Sequence, residues 1–179
     1  NLNWAGGTSR PRYFQIRGVG ERSQYFGEGS PNFSIGYELD DIDLSGLGML
    51  GQLFDLNQIE VFKGPQSSVF GSNAIGGLIS LRSNKPSNKN TYKYSFTVGD
   101  DGKKGVSGLV NFKLLENLLF RISSNYNYSN GFRKNTYLNV ENSNKKDEIF
   151  VRAKLLFTPS KNLSLLGTAI SSDLKNGYD

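Results

Sequence analysis

The sequence predicts a small α+β domain followed by antiparallel strands of a transmembrane β-barrel. Three observations lead there. Glycine (21), phenylalanine (12) and tyrosine (9) are plentiful while hydrophobic residues reach only 36%, which favours turns and strands over long helices. Composition and charge change together near residue 86. Beyond that point, five runs of alternating polarity follow one another.

The break is visible in the charges. Residues 1–86 carry seven basic and eight acidic side chains, whereas residues 87–179 carry fourteen and eight. Between them, Lys85-Pro86-Ser87-Asn88-Lys89-Asn90 reads as a linker. The domains are therefore expected at 1–86 and 87–179. No apolar run approaches the ~20 residues of a membrane helix. Without Cys or His, the chain has neither a disulfide framework nor the commonest transition-metal ligand and general base. It opens at Asn1 with no basic-then-apolar leader, so a truncated or processed start is expected.

In the first part, short β-like stretches alternate with glycine turns. Strands are expected at Phe14–Arg17, Ser34–Leu39, Ile59–Lys63 and Gly77–Arg82, with short helices at Leu50–Asn57 and Ser67–Phe70. In the second part, Tyr92, Tyr94, Phe96 and Val98 share a face against Lys93, Ser95 and Thr97. The next run sets Val106, Gly108, Val110, Phe112 and Leu114 against Ser107, Asn111 and Lys113. Then Leu118, Phe120, Ile122, Tyr126 and Tyr128 oppose Arg121, Ser123, Asn125 and Asn127. A fourth run has Ile149, Val151, Ala153, Leu155 and Phe157 opposite Arg152, Lys154 and Thr158, and a weaker fifth has Leu163, Leu165, Gly167 and Ala169.

Runs of about ten residues suit tilted strands crossing a bilayer, and several aromatics lie near strand ends as interfacial girdles do. Glu116-Asn117 and Pro159-Ser160-Lys161 read as tight turns, Ser129 to Asp147 as a long polar loop. A soluble antiparallel sheet with one wet face alternates in the same way. Five strands do not close a small barrel, so either more strands follow Asp179 or the sheet belongs to a soluble or surface-attached β-rich binding module.

The segment Ile59-Glu60-Val61-Phe62-Lys63-Gly64-Pro65 continues through Phe70-Gly71 to Ala74-Ile75-Gly76-Gly77 and a final strand. Upstream lie Ile16-Arg17-Gly18 and Tyr37-Glu38-Leu39-Asp40-Asp41-Ile42-Asp43. In this order the three motifs resemble those of the plug domain of TonB-dependent outer-membrane receptors. The resemblance implies a siderophore-receptor-like protein of the Gram-negative cell outer membrane. Its partners would be a TonB-type energy-transducing protein, outer-membrane lipid, and a ferric siderophore or other small chelate as ligand. No cofactor, resident metal, catalytic residue or nucleic acid is implied. The TonB box of that family is expected to lie outside these residues.

Gly64-Pro65 suits a sharp turn after a strand, because Pro fixes φ and Gly tolerates positive φ. Glu60, Gly71, Gly76 and Gly77 complete the signature, the glycines suiting close packing or bends. By resemblance, Arg17 and Lys63 are the plug's latch to acidic residues of the barrel wall. Lys63 stands where Arg is usual and lacks its bidentate fork. Asp41 replaces the glycine of an Asp-Gly turn, so a looser turn is expected, and Phe70 stands for Tyr. The Gly-rich aromatic stretch with Tyr25, Phe26, Asn32 and Phe33 is the candidate ligand loop.

Other signals carry less. Gly46 to Gly51 matches G-x-G-x-x-G, but the strand at Ile59 follows too closely for a dinucleotide crossover. The Asp41–Gly46 stretch resembles the start of a calcium loop, yet its twelfth position is Gln52. Basic and aromatic residues of the strands lie on opposite faces, unlike a nucleic-acid stacking platform. No nucleophile–base pair supports an enzyme.

Overall fold

A computed structural model of the chain describes residues 2–4, 12–20, 34–45 and 53–177. The chain divides into two compact units, Asn1–Ser83 and Asn84–Asp179.

In the first unit, β1 (Leu2–Trp4) pairs antiparallel with β2 (Arg12–Phe14). A four-stranded mixed sheet then forms from β3 (Ile35–Leu39), β4 (Ile42–Asp43), β5 (Leu56–Lys63) and β6 (Gly77–Ser83), ordered β4-β3-β6-β5. β3 runs parallel to β6, and β5 antiparallel to it. All five residues of β3 are buried, as expected of a short strand flanked on both sides and covered on both faces. Ile35, Tyr37, Leu39, Ala74, Leu78 and Leu81 form the core, and the Tyr37 ring stacks on Phe14 at 5.5 Å.

Helix α1 (Ser67–Phe70) and a 3-10 turn (Ser72–Ala74) lie between β5 and β6. The helix expected at Leu50–Asn57 is not there over its described part. Residues 53–55 are a turn and β5 begins at Leu56. The backbone explains it: Asp55 has φ +60, which ends a right-handed helix, and Ile59, Val61 and Phe62 then favour strand.

The second unit is an antiparallel meander in sequence order: β7 (Thr91–Val98), β8 (Lys104–Leu115), β9 (Leu118–Ser129), β10 (Lys146–Ser160) and β11 (Leu163–Leu174). All five alternating runs are strands, paired without a break in order. Pro159 and Ser160 belong to the end of β10 rather than to a turn, and the register shifts between Phe157 and Ser160. Proline cannot donate to a ladder and is tolerated at such an irregularity.

The two faces of this sheet differ in chemistry. One exposes Tyr92, Tyr94, Phe96, Val98, Val106, Tyr126, Ile149, Leu155 and Phe157, with Tyr94 80% exposed. The other carries a polar ladder: Asn125 Nδ2 donates to Ser107 Oγ at 2.6 Å, and Asn127 donates to Asn125. Asn111 Nδ2 donates to the Ser87 and Lys89 carbonyls at 2.9 and 2.8 Å. Arg152 and Lys154 also lie on this face, both buried.

Candidate functional site

The signature segment folds into a closed loop between β5 and β6. Gly64, with φ +97, turns the chain directly after Lys63, a conformation that side chains resist. Its N–H donates to the Gly76 carbonyl at 3.2 Å, and Gln66 N–H to Ala74 at 2.8 Å. These bonds close the loop around α1 and the 3-10 turn, with Gly71 between them. The Phe62 and Phe70 rings lie 5.8 Å apart and brace it. Pro65 follows the turn and is exposed.

At the far end of the loop the chain passes through a crowded point. A side chain on Gly76 would come within 2.5 Å of Val19 Cγ1 and 2.9 Å of Ile35 Cδ1. One on Gly77 would reach 2.5 Å from the Phe62 carbonyl oxygen, at a φ of +149. Only glycine fits both constraints at Gly77.

Arg17 is placed in a turn, not at a strand end. Ile16 and Val19 exchange two backbone hydrogen bonds of 2.9 and 3.0 Å. Arg17 (φ +54) and Gly18 (φ +81) are the central pair, the positive-φ geometry of a tight hairpin. The Arg17 side chain is exposed, as is that of Lys63 at the end of β5. Lys63 is the register partner of Gly77, over which Ile16 Cδ1, from the residue preceding Arg17, stands. Among the described residues neither Arg17 nor Lys63 forms an ion pair.

A group of acidic residues on β3, the β3–β4 turn and β4 acts as a unit that no local sequence pattern marks. Four carboxylates within six residues each tie down a different group. Glu38, buried in β3, accepts a 2.6 Å bond from Ser80 Oγ in β6, and Ser80 is also the register partner of the half-buried Glu60. Asp40 accepts from Ser83 N–H (2.8 Å) and Ser83 Oγ (2.6 Å). Asp41 takes a two-pronged ion pair from Arg82, which raises the arginine above its ordinary value through that hydrogen bond and charge. Asp43 accepts from Ser45 N–H at 2.8 Å and Asn73 Nδ2 at 3.2 Å. Partial burial works to raise the Asp43 carboxyl, but the bonds from Ser45 and Asn73 together outweigh it and hold it below its ordinary value.

These ties also overturn the expectation of a loose turn at Asp41. Asp40 and Asp41 have φ +53 and +65, and Leu39 pairs directly with Ile42. The turn is as tight as an Asp-Gly turn. Holding a non-glycine residue there costs about 1–2 kcal/mol, which the bonds to Ser83 and Arg82 offset.

Tyr25, Phe26, Asn32 and Phe33 lie outside the described residues, as does the Gly46–Gly51 stretch. Among the described residues no cluster of three or more His, Cys, Asp or Glu could hold a metal ion.

Comparison with known proteins places this geometry. Residues 1–78 match the family model of the TonB-dependent receptor plug domain. The fold is similar to that of the ferric yersiniabactin uptake receptor FyuA from Yersinia pestis (TM-score 0.83, 16% identity, covering 96% of this chain and 27% of that one). It is also similar to the pyoverdine outer membrane receptor FpvA from Pseudomonas aeruginosa (0.72, 16% identity, 97% and 23%). A third similar structure is the ferric-catecholate import receptor Fiu from E. coli (0.65, 20% identity, 80% and 20%). The chain spans between a fifth and roughly a quarter of these proteins.

Proposed function

We propose, from the plug-domain match over residues 1–78, that the chain is part of a TonB-dependent receptor that takes up a scarce ligand, a ferric siderophore or similar chelate, across the outer membrane of a Gram-negative bacterium. Residues 1–86 act as the plug and 87–179 as the first strands of the wall around it. The observation that carries this reading is the two-part order itself. A plug with its closed signature loop is followed by a five-stranded meander with one aliphatic and aromatic face, exposed from Tyr92 to Val98 on β7 and in part on the other four strands. An apolar face of that extent is unsuited to water and matches the lipid-facing band of a membrane barrel.

In this reading Arg17 and Lys63 form the latch between plug and wall, and the stretch holding Tyr25, Phe26, Asn32 and Phe33 contacts ligand. A TonB-type protein supplies the energy, and no covalent chemistry takes place. The apolar face lies against outer-membrane lipid.

The test is radioiron uptake by an iron-starved Gram-negative host that carries the complete protein, with and without an active TonB. The expected result is siderophore-dependent uptake that vanishes without TonB, with the protein in the outer-membrane fraction. Recovery of the protein in the soluble fraction would favour a binding module instead.

A further inference from the structure

We propose that the β9–β10 connection is a preformed binding site for an oxyanion-bearing ligand, so that the receptor selects anionic chelates over neutral ones. The inference rests on the uptake reading above and names the ligand class.

The connection encloses an open recess of about 430 Å³ lined by Arg133, Lys134, Asn135, Thr136, Tyr137 and Ser143. That volume falls in the range of small-molecule sites. The lining holds two cations, a phenol, two hydroxyls and an amide, with no carboxylate among them. Glu141 lies beside it and pairs with Lys134 at 2.5 Å, and Arg133 stands 5.9 Å over the Phe132 ring. Donors of this kind recognise carboxylate, phosphate or catecholate oxygens, and Tyr137, 93% exposed, offers an aromatic surface beside them.

The recess is built rather than incidental. Asn135 and Val140 exchange backbone hydrogen bonds of 2.9 and 3.1 Å, and Asn135 Oδ1 accepts from Leu138 N–H. Ser143 N–H donates to the Arg133 carbonyl at 2.9 Å. Asn144 Oδ1 accepts from both Phe132 and Arg133 N–H groups, at 2.9 and 3.0 Å. The base is held from both sides, by Asn130 N–H on the Asp101 carbonyl and by Gly177 N–H on that of Lys145. A loop ordered before binding loses less freedom when ligand arrives.

The experiment uses the complete receptor in detergent and two iron(III) probes of similar size: a trianionic tris-catecholate and a neutral tris-hydroxamate. Titration calorimetry should show the trianion bound more tightly, with the preference shrinking as salt rises from about 50 to about 500 mM. Arg133→Ala/Lys134→Ala should weaken the trianion by about tenfold or more and leave the neutral probe unchanged. Arg133→Lys/Lys134→Arg, which keeps both charges, should retain most of the affinity and shows that the loop still folds. Equal affinity for the two probes, no binding of either, or an Ala variant that still binds the trianion at full strength overturns the proposal. If TonB-dependent uptake persists in those cases, only the oxyanion site fails; if uptake is also absent, the receptor reading fails with it.

Discussion

Arg82 meets Asp41 through two parallel hydrogen bonds, 3.0 Å from Nη1 and 2.9 Å from Nη2, fastening the β3–β4 turn to β6, one of the two inner strands of the plug sheet. Both side chains are substantially exposed, so the pair by itself contributes about 0–1 kcal/mol. Its importance lies in where it acts, on a residue held at positive φ.

That position separates two effects in one series. Asp41→Ala loses the pair and keeps the strained backbone, and should lower the local stability of the turn by about 1–2 kcal/mol. Asp41→Gly loses the pair but relieves the strain, and should stay within about 1 kcal/mol of the parent. Amide exchange at Leu39 and Ile42 reads the difference, and equal effects of the two changes would refute the account.

Ser80→Ala removes the donor to a buried carboxylate, which should cost about 1.5–3 kcal/mol. Glu38→Met combined with Ser80→Ala should cost less than Ser80→Ala alone, because no charge is left stranded. Calorimetric unfolding of the complete receptor measures both, and a double variant worse than the single one would show that packing, not polarity, decides this row.

Asp43 gives a pH signature. Its folded carboxyl titrates below the ordinary value of 3.8. The stabilisation it adds is therefore fully present above that value and is lost as pH falls through the folded pKa. Exchange of the Ser45 amide, corrected for intrinsic rate, should accelerate only at pH below 3.8. Asp43→Asn should abolish the step, and a step that survives this change would point to another group.

Tyr94 and Ser95 are neighbours on opposite faces of β7, one on the apolar face and one on the polar face. Tyr94→Arg should cost about 2–4 kcal/mol if its face meets lipid, while Ser95→Arg should be tolerated. Outer-membrane yield and heat-modifiable migration on gels report assembly. Equal yields would remove lipid from that face.

The two units differed in how far the sequence revealed them. The meander was legible from Tyr92 onward because each strand repeats one period long enough to set its face, and neighbours in sequence are neighbours in space. The plug yielded its glycine turns, because Gly64-Pro65 has few conformations open to it. Its short strands gave less: Leu53, Phe54 and Leu56 mimic helical spacing, yet the chain turns at 53–55 and enters β5 at Leu56. The ties from Glu38 and Asp40 to Ser80 and Ser83 depend on β3 lying parallel to β6 in one register, across about forty intervening residues. No local pattern encodes that distance. The recess by Arg133 was hidden for a related reason: its shape comes from Asn144 folding back on Phe132 and Arg133, while the residues themselves read only as a polar loop.

The bracing of that loop limits how it can be engineered. Its foundations are the Asp101 carbonyl in the β7–β8 turn and, beyond β11, Asn176, which accepts the Asp147 N–H at 3.1 Å and donates to Glu148 at 2.7 Å. A graft of residues 130–145 alone onto another scaffold would leave those anchors behind and arrive without its shape. To transplant the loop's specificity, the cut must be widened to carry the neighbouring turn and the segment after β11.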